Sequence, residues 1–181
     1  MTTAQPFSRR IESRKLYAIA IAVVAVLAMA VTGMPWMNMN GIGFPISWNG
    51  LGHTSSVDGL TGGPNPLGWY VIGAGIVALL AAGSLLLERT RPYAQIALSV
   101  AAMASLAATA VPVGILIAPT WYHGAMFDRG GVGDLIRDPH FHIARDVLET
   151  PVLVVEAILL IVLAVLCAAA AFSLRTTRAD D

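Results

Sequence analysis

The chain has 181 residues, 56% of them hydrophobic and 12% charged, with 11 basic residues balancing 11 acidic ones; its mean hydropathy is +0.71. An ordinary soluble domain is roughly 45–50% apolar and 25% charged, so this is the composition of an integral membrane protein. No basic excess is left to neutralise a phosphate backbone, which excludes nucleic acid as a partner. The single cysteine, Cys167, lies in an apolar run and excludes an internal disulfide, a CxxC redox pair and a cysteine-built zinc site.

Residues 1–15 form a basic N-terminus, with Arg9, Arg10, Arg14 and Lys15 beside the first apolar run. A helix needs about 20 apolar residues to cross a hydrocarbon core about 30 Å thick, and four stretches qualify: 16–34, 68–87, 94–118 and 151–174. The fold class is an all-α membrane protein, one four-transmembrane-helix bundle over 16–174, with outer segments 35–67 and 119–150 and a tail at 175–181. Arg89 and Arg91 lie between the second and third spans, and Arg175 and Arg178 follow the fourth. The positive-inside rule then places both termini in the cytoplasm of a bacterial plasma membrane. A cleaved signal peptide ending near Ala28-Met29-Ala30 is the alternative for the first run, although that run exceeds the roughly 7–15 residues of a signal core.

The first outer segment is rich in Gly, Pro, Asn and Ser. Alternation in Met37-Asn38-Met39-Asn40 and in Phe44-Pro45-Ile46-Ser47-Trp48, with turn signals at Asn40-Gly41 and Asn49-Gly50, predicts a short β-hairpin in a small extracytoplasmic cap. Trp36, Trp48, Trp69 and Trp121, with Tyr70 and Tyr122, fall at or beyond the outer span ends, the pattern of an aromatic belt. Span two carries Gly75, Leu79 and Gly83 on one face, and span three repeats alanine at Ala94, Ala97, Ala101, Ala104 and Ala108. Such smooth faces let helices approach closely. Spans two and three should pair antiparallel across a short turn, with Pro92 at a helix start.

In the second outer segment, Asp138-Pro139 reads as an N-cap followed by proline at the first helical position, predicting an amphipathic helix of about 11 residues. Its polar face would carry His142, Arg145, Asp146 and Glu149, opposite Phe141, Ala144 and Leu148. Thr150-Pro151 then either restarts or kinks the helix.

The Met34-Pro35-Trp36 end of span one, the strand-like loop after it and the Gly/Ala-rich second span resemble the actinobacterial tryptophan-associated four-span membrane proteins over the first half of the chain. The layout is also similar to claudin-type tetraspans, Trp48-Asn49-Gly50-Leu51 resembling their first-loop motif without the two loop cysteines. These resemblances imply an envelope membrane protein and no particular reaction.

Glu156 is the one ionisable side chain clearly inside a span. A charge there costs at least about 2.5–3.5 kcal/mol, which makes it a functional candidate. It is expected either to be hydrogen-bonded locally or to engage a neighbouring subunit, with proton transfer as a third role, and Pro112 at similar depth suggests a polar pocket between spans three and four. Glu149, Asp146 and Arg145 are further interface or proton-linked candidates. His53, His123, His140 and His142 all fall on the outer side with Met37 and Met39. Imidazole suits zinc and copper and thioether sulfur suits Cu(I), so these residues are the candidate metal ligands. No histidine lies within a span for haem, and no GxSxG, HExxH or P-loop pattern occurs. Ser99 and Ser105 read as backbone-bonded helix serines.

The function these features suggest is a non-catalytic membrane subunit that stabilises or regulates a larger cell-envelope complex, with the bilayer and other membrane subunits as partners. The alternative is an extracytoplasmic copper- or zinc-binding protein serving metal delivery or a membrane oxidase, and a less favoured one is a small proton-linked transporter.

Overall fold

The computed structural model describes residues 6–43, 45–55, 64–119, 122 and 143–179. Helix α1 spans Pro6–Thr32, strand β1 Pro35–Asn38, β2 Ser47–Asn49, α2 Gly68–Leu86, α3 Ala94–Ile117, the single turn α4 Ile143–Asp146, and α5 Thr150–Ala179. Four stretches, Glu12–Thr32, Gly68–Leu86, Ala94–Ile117 and Thr150–Arg175, are long and apolar enough to cross a membrane. They match the expected spans to within a few residues, the pattern of a multi-pass membrane protein. A helix is the natural state of such runs because it satisfies its own backbone polar groups where no water can.

The long helices pack as a ring: α1 against α2 and α5, and α3 against α2 and α5. Small residues set much of the contact. Ala18, Ala25 and Ala28 of α1, Ala74, Ala78 and Ala81 of α2, and Ala94, Ala101 and Ala108 of α3 are all buried. A Cβ on Gly75 would come within 2.7 Å of the Met29 Cγ and 3.5 Å of the Ala25 carbonyl, so this glycine admits α1. Outward faces carry Leu16, Ile19, Val23, Leu80, Met103 and Ile158, all exposed, as expected of surfaces that meet lipid. Pro92 lies inside a 3-10 turn, Glu88–Tyr93, and α3 begins just after it instead of at the proline.

The hairpin is present, with β1 and β2 antiparallel, Met37 opposite Trp48 and Asn38 opposite Ser47. Its strands are shorter than the alternation predicts, and the first begins at Pro35. Asn40-Gly41 falls in a 3-10 turn closed by Gly43 at φ 92°, a left-handed conformation that glycine adopts freely. After β2, the Asn49 side-chain oxygen accepts hydrogen bonds from the backbone N–H groups of Leu51 and His53 at 3.1 and 3.0 Å.

Two expectations are corrected here. Trp36 and Trp48 are core residues, 0% and 2% exposed, and not members of an aromatic belt. The hairpin folds back over the bundle, and a register irregularity between Pro35 and Met37 lets consecutive Trp36 and Met37 both point inward. Trp121 lies outside the described residues. The second correction concerns the amphipathic helix, of which 139–142 lie outside the described residues and only α4 is helical before α5. Residues 147–149 instead join β1: Asn38 N–H donates to the Val147 carbonyl at 2.7 Å and Glu149 N–H to the Trp36 carbonyl at 3.0 Å, with Met37 bridged to Leu148. A backbone paired to a strand cannot remain helical, so Glu149 leaves the face of Arg145 and Asp146, and Thr150-Pro151 restarts the helix.

Gly68→Ala would place a Cβ 2.4 Å from the Thr32 Cγ2 and 2.7 Å from the Gly50 carbonyl oxygen. Overpacking of this kind is expected to cost about 1–3 kcal/mol. Gly83→Ala, where a Cβ meets nothing within 4 Å, should be neutral or stabilising by up to about 1 kcal/mol through helix propensity. Thermal unfolding of both variants in the same detergent checks the contrast.

Candidate functional site

The chain's polar chemistry gathers where the cap meets the ends of α1, α2 and α5. A helix end leaves several backbone groups unpaired, and here the cap pairs them. Gly50 N–H donates to the Thr32 carbonyl at 3.0 Å, and Gly68 N–H donates to the Gly50 carbonyl at 2.8 Å. Tyr122 adds a tether, its hydroxyl donating to the Asn49 carbonyl at 3.0 Å. Its ring meets that of Trp36 with centroids 6.0 Å apart. Burial pushes the Tyr122 phenol upward from its ordinary range, since the phenolate is the form that desolvation penalises.

Below this junction lies Glu156, six residues into α5 and so roughly 9 Å along the helix at 1.5 Å per residue. It is 0% exposed. Its Oε1 is 3.3 Å from the Thr32 hydroxyl, which also lies 3.0 Å from the Ala28 carbonyl. That hydroxyl has one proton for two acceptors. Glu156 Oε2 and the Trp36 indole N–H are buried without a partner among the described residues. The surroundings are apolar, with Ala28, Leu153, Leu160 and Trp36 in one cluster.

Within the chain, Glu156 makes a local hydrogen bond, to Thr32. The partner comes from span one and not from a pocket at Pro112, which is itself buried in α3. Glu149 is tied to the cap, its Oε1 accepting from the Asn38 amide at 2.9 Å. Arg145 and Asp146 are exposed. Ser99 and Ser105 do bond to their own helix, to the carbonyls of Gln95 at 3.0 Å and Ala101 at 2.8 Å.

The metal candidates do not converge among the described residues. His53 is exposed in the turn after β2, whereas Met37 and Met39 are 0% and 8% exposed and packed into the cap-end core. His123, His140 and His142 lie outside the described residues. No group of three or more His, Cys, Asp or Glu side chains is assembled among the described residues. Thr32, Asn38 and Tyr122 are the site residues that sequence reasoning missed; their only local signal was polarity at the edge of an apolar run. Comparison with protein families, characterised proteins and solved structures finds no match to this chain.

Two outcomes follow from the geometry. Thr32→Val removes the one partner that a buried carboxyl has among the described residues and should cost about 1–3 kcal/mol, whereas adding Glu156→Leu, which removes the orphaned group as well, should recover most of that loss. A double-mutant cycle read by thermal unfolding measures it. Tyr122→Phe should cost about 1 kcal/mol near neutral pH through the lost hydrogen bond. Because the folded state raises the phenol above its free value of about 10, the phenol's contribution is complete below that pH and is lost above it. Unfolding midpoints measured against pH should therefore fall less steeply above about pH 10 in Tyr122→Phe than in the parent.

Proposed function

We propose that this chain is a non-catalytic membrane subunit of a larger envelope complex and that its cap is the surface a partner recognises. The observation that supports this reading is the construction of the cap. Backbone hydrogen bonds join the hairpin to the ends of α1 and α2 and to the strand-like lead into α5, and Trp36, Trp48 and Tyr122 are buried beneath it. A surface fixed in this way loses little further entropy on binding. The short loop Asn40–Ile42 projects from it with Ile42 exposed.

Orientation follows from charge. Arg14, Lys15, Arg89 and Arg175 sit at the bundle end opposite the cap, so the positive-inside rule turns the cap to the extracytoplasmic side of a bacterial plasma membrane. The test is recovery of a C-terminally tagged copy from native membranes in mild detergent, with mass spectrometry of what accompanies it. A partner in stoichiometric amount is expected, and Ile42→Asp should release it while leaving the unfolding temperature within the small range of surface substitutions, about 0.5 kcal/mol. Recovery of the chain alone, or of an undiminished partner with Ile42→Asp, overturns the assignment to the cap.

A further inference from the structure

A groove of about 520 Å³ lies between α2 and α3 toward the cap end. Its floor is built from Gly73, Ala74, Ala104, Ala107 and Ala108, none of which reaches beyond a Cβ. From Val111 to Ala104 the α3 wall advances seven residues, or roughly 10 Å along the helix, so the groove runs from the first turn of α2 toward the middle of the bundle. At its mouth stand Trp69 and Tyr70, 57% and 67% exposed. Neither side-chain donor is hydrogen-bonded among the described residues.

The chemistry of the lining limits the occupant. The floor is apolar throughout and the two donors stand at one end of it, which suits an occupant with a long apolar part and a polar end. A lipid supplies both chemistries at the required places, methylenes below and ester and phosphate oxygens at the level where Trp and Tyr sit in membranes.

We propose that this groove binds one phospholipid of the leaflet on the cap side, its acyl chain along the glycine–alanine floor and its polar oxygens accepting from Trp69 and Tyr70. Bulk lipid tails are as apolar as the floor, so retention comes from the fit of the chain and from the two donors. The inference rests on the four helices crossing a bilayer and is independent of any partner at the cap.

The test is photolabelling of the full chain in phosphatidylcholine vesicles containing a trace of phosphatidylcholine with a diazirine in mid-chain, followed by mapping of the adducts. Labels on Ala104, Ala107 and Gly73 should exceed those on Leu80 and Ile158, which are 70% and 54% exposed, several-fold. A Cβ on Gly73 meets nothing within 4 Å, so Gly73→Leu starts its side chain in open space and directs its bulk into the groove. It should reduce the groove adducts to the Leu80 level at an unchanged unfolding temperature. Ala107→Leu provides a second filling variant, and Trp69→Phe with Tyr70→Phe should lower the adducts while leaving the groove open. Labels spread evenly over the exposed apolar residues, labels undiminished by both filling variants, or a second protein chain cross-linked in the groove in place of lipid would overturn the proposal.

Discussion

The structure depends on how the ends of its long apolar helices are satisfied. A terminated helix leaves up to four carbonyls or four N–H groups without partners. Here the last turn of α1 and the first residue of α2 are joined through one residue of the cap, Thr32 to Gly50 to Gly68, by two backbone hydrogen bonds. The relay is open only to glycine. A Cβ on Gly50 would lie 2.6 Å from the Trp36 ring, and one on Gly68 would lie 2.4 Å from Thr32. On the far side of the hairpin, Trp36 and Asn38 pair with Glu149 and Val147 and so fix where α5 begins. Two short strands alone are marginal. These hold their place because they are caps for helices that are stable in lipid for other reasons.

The same junction grades the core along the bundle axis. At the cap end the buried cluster is bulky, with Trp36, Trp48, Tyr122, Ile115 and Leu153, while toward the other end it is dominated by alanines such as Ala78, Ala81, Ala101 and Ala170. The separation of packed helices follows the side chains between them. Alanine faces therefore suit the end where α2 and α3 are joined by a short turn, and aromatic side chains suit the end where a cap must be accommodated. Gly73, Ala74, Ala104 and Ala107 are small residues at the bulky end, which is where the chain leaves volume that it does not fill itself.

What the sequence made legible was local. The four spans could be read from run length because a membrane helix needs only continuity of apolar residues, and the hairpin from alternation and Asn-Gly turns. Trp36 and Trp48 were misread because a tryptophan near a span end suits an interfacial belt as well as a core; the difference lies in whether the loop folds back over the bundle. The helix expected through Glu149 failed for a related reason. Residues 143–146 are helical, but β1 competes for the backbone of 147–149, and strand pairing wins. Thr32 and Glu156 are 124 positions apart, and no spacing rule links two residues whose meeting depends on the packing of the first span against the last.

That meeting is the least stabilising part of the core taken by itself. Each buried polar atom without a partner costs about 1–3 kcal/mol, and Glu156 Oε2 and Trp36 Nε1 are both of this kind. Buried positions elsewhere on α5, including Leu153, Leu160 and Leu163, are filled by apolar side chains. An apolar residue at 156 would remove one of these costs, as it often does when it replaces a buried polar group. It would also allow α5 to rotate or slide against α1 with little penalty, because one hydrocarbon contact is much like another when lipid surrounds the bundle. The carboxyl does not permit this. Its Oε1 finds a partner only where α5 sets it against Thr32, and Thr32 is held by the relay through Gly50 and Gly68. The acid thus couples the register of the last span to the closure of the cap, which accounts for a costly group at the point where α1, the hairpin and α5 converge.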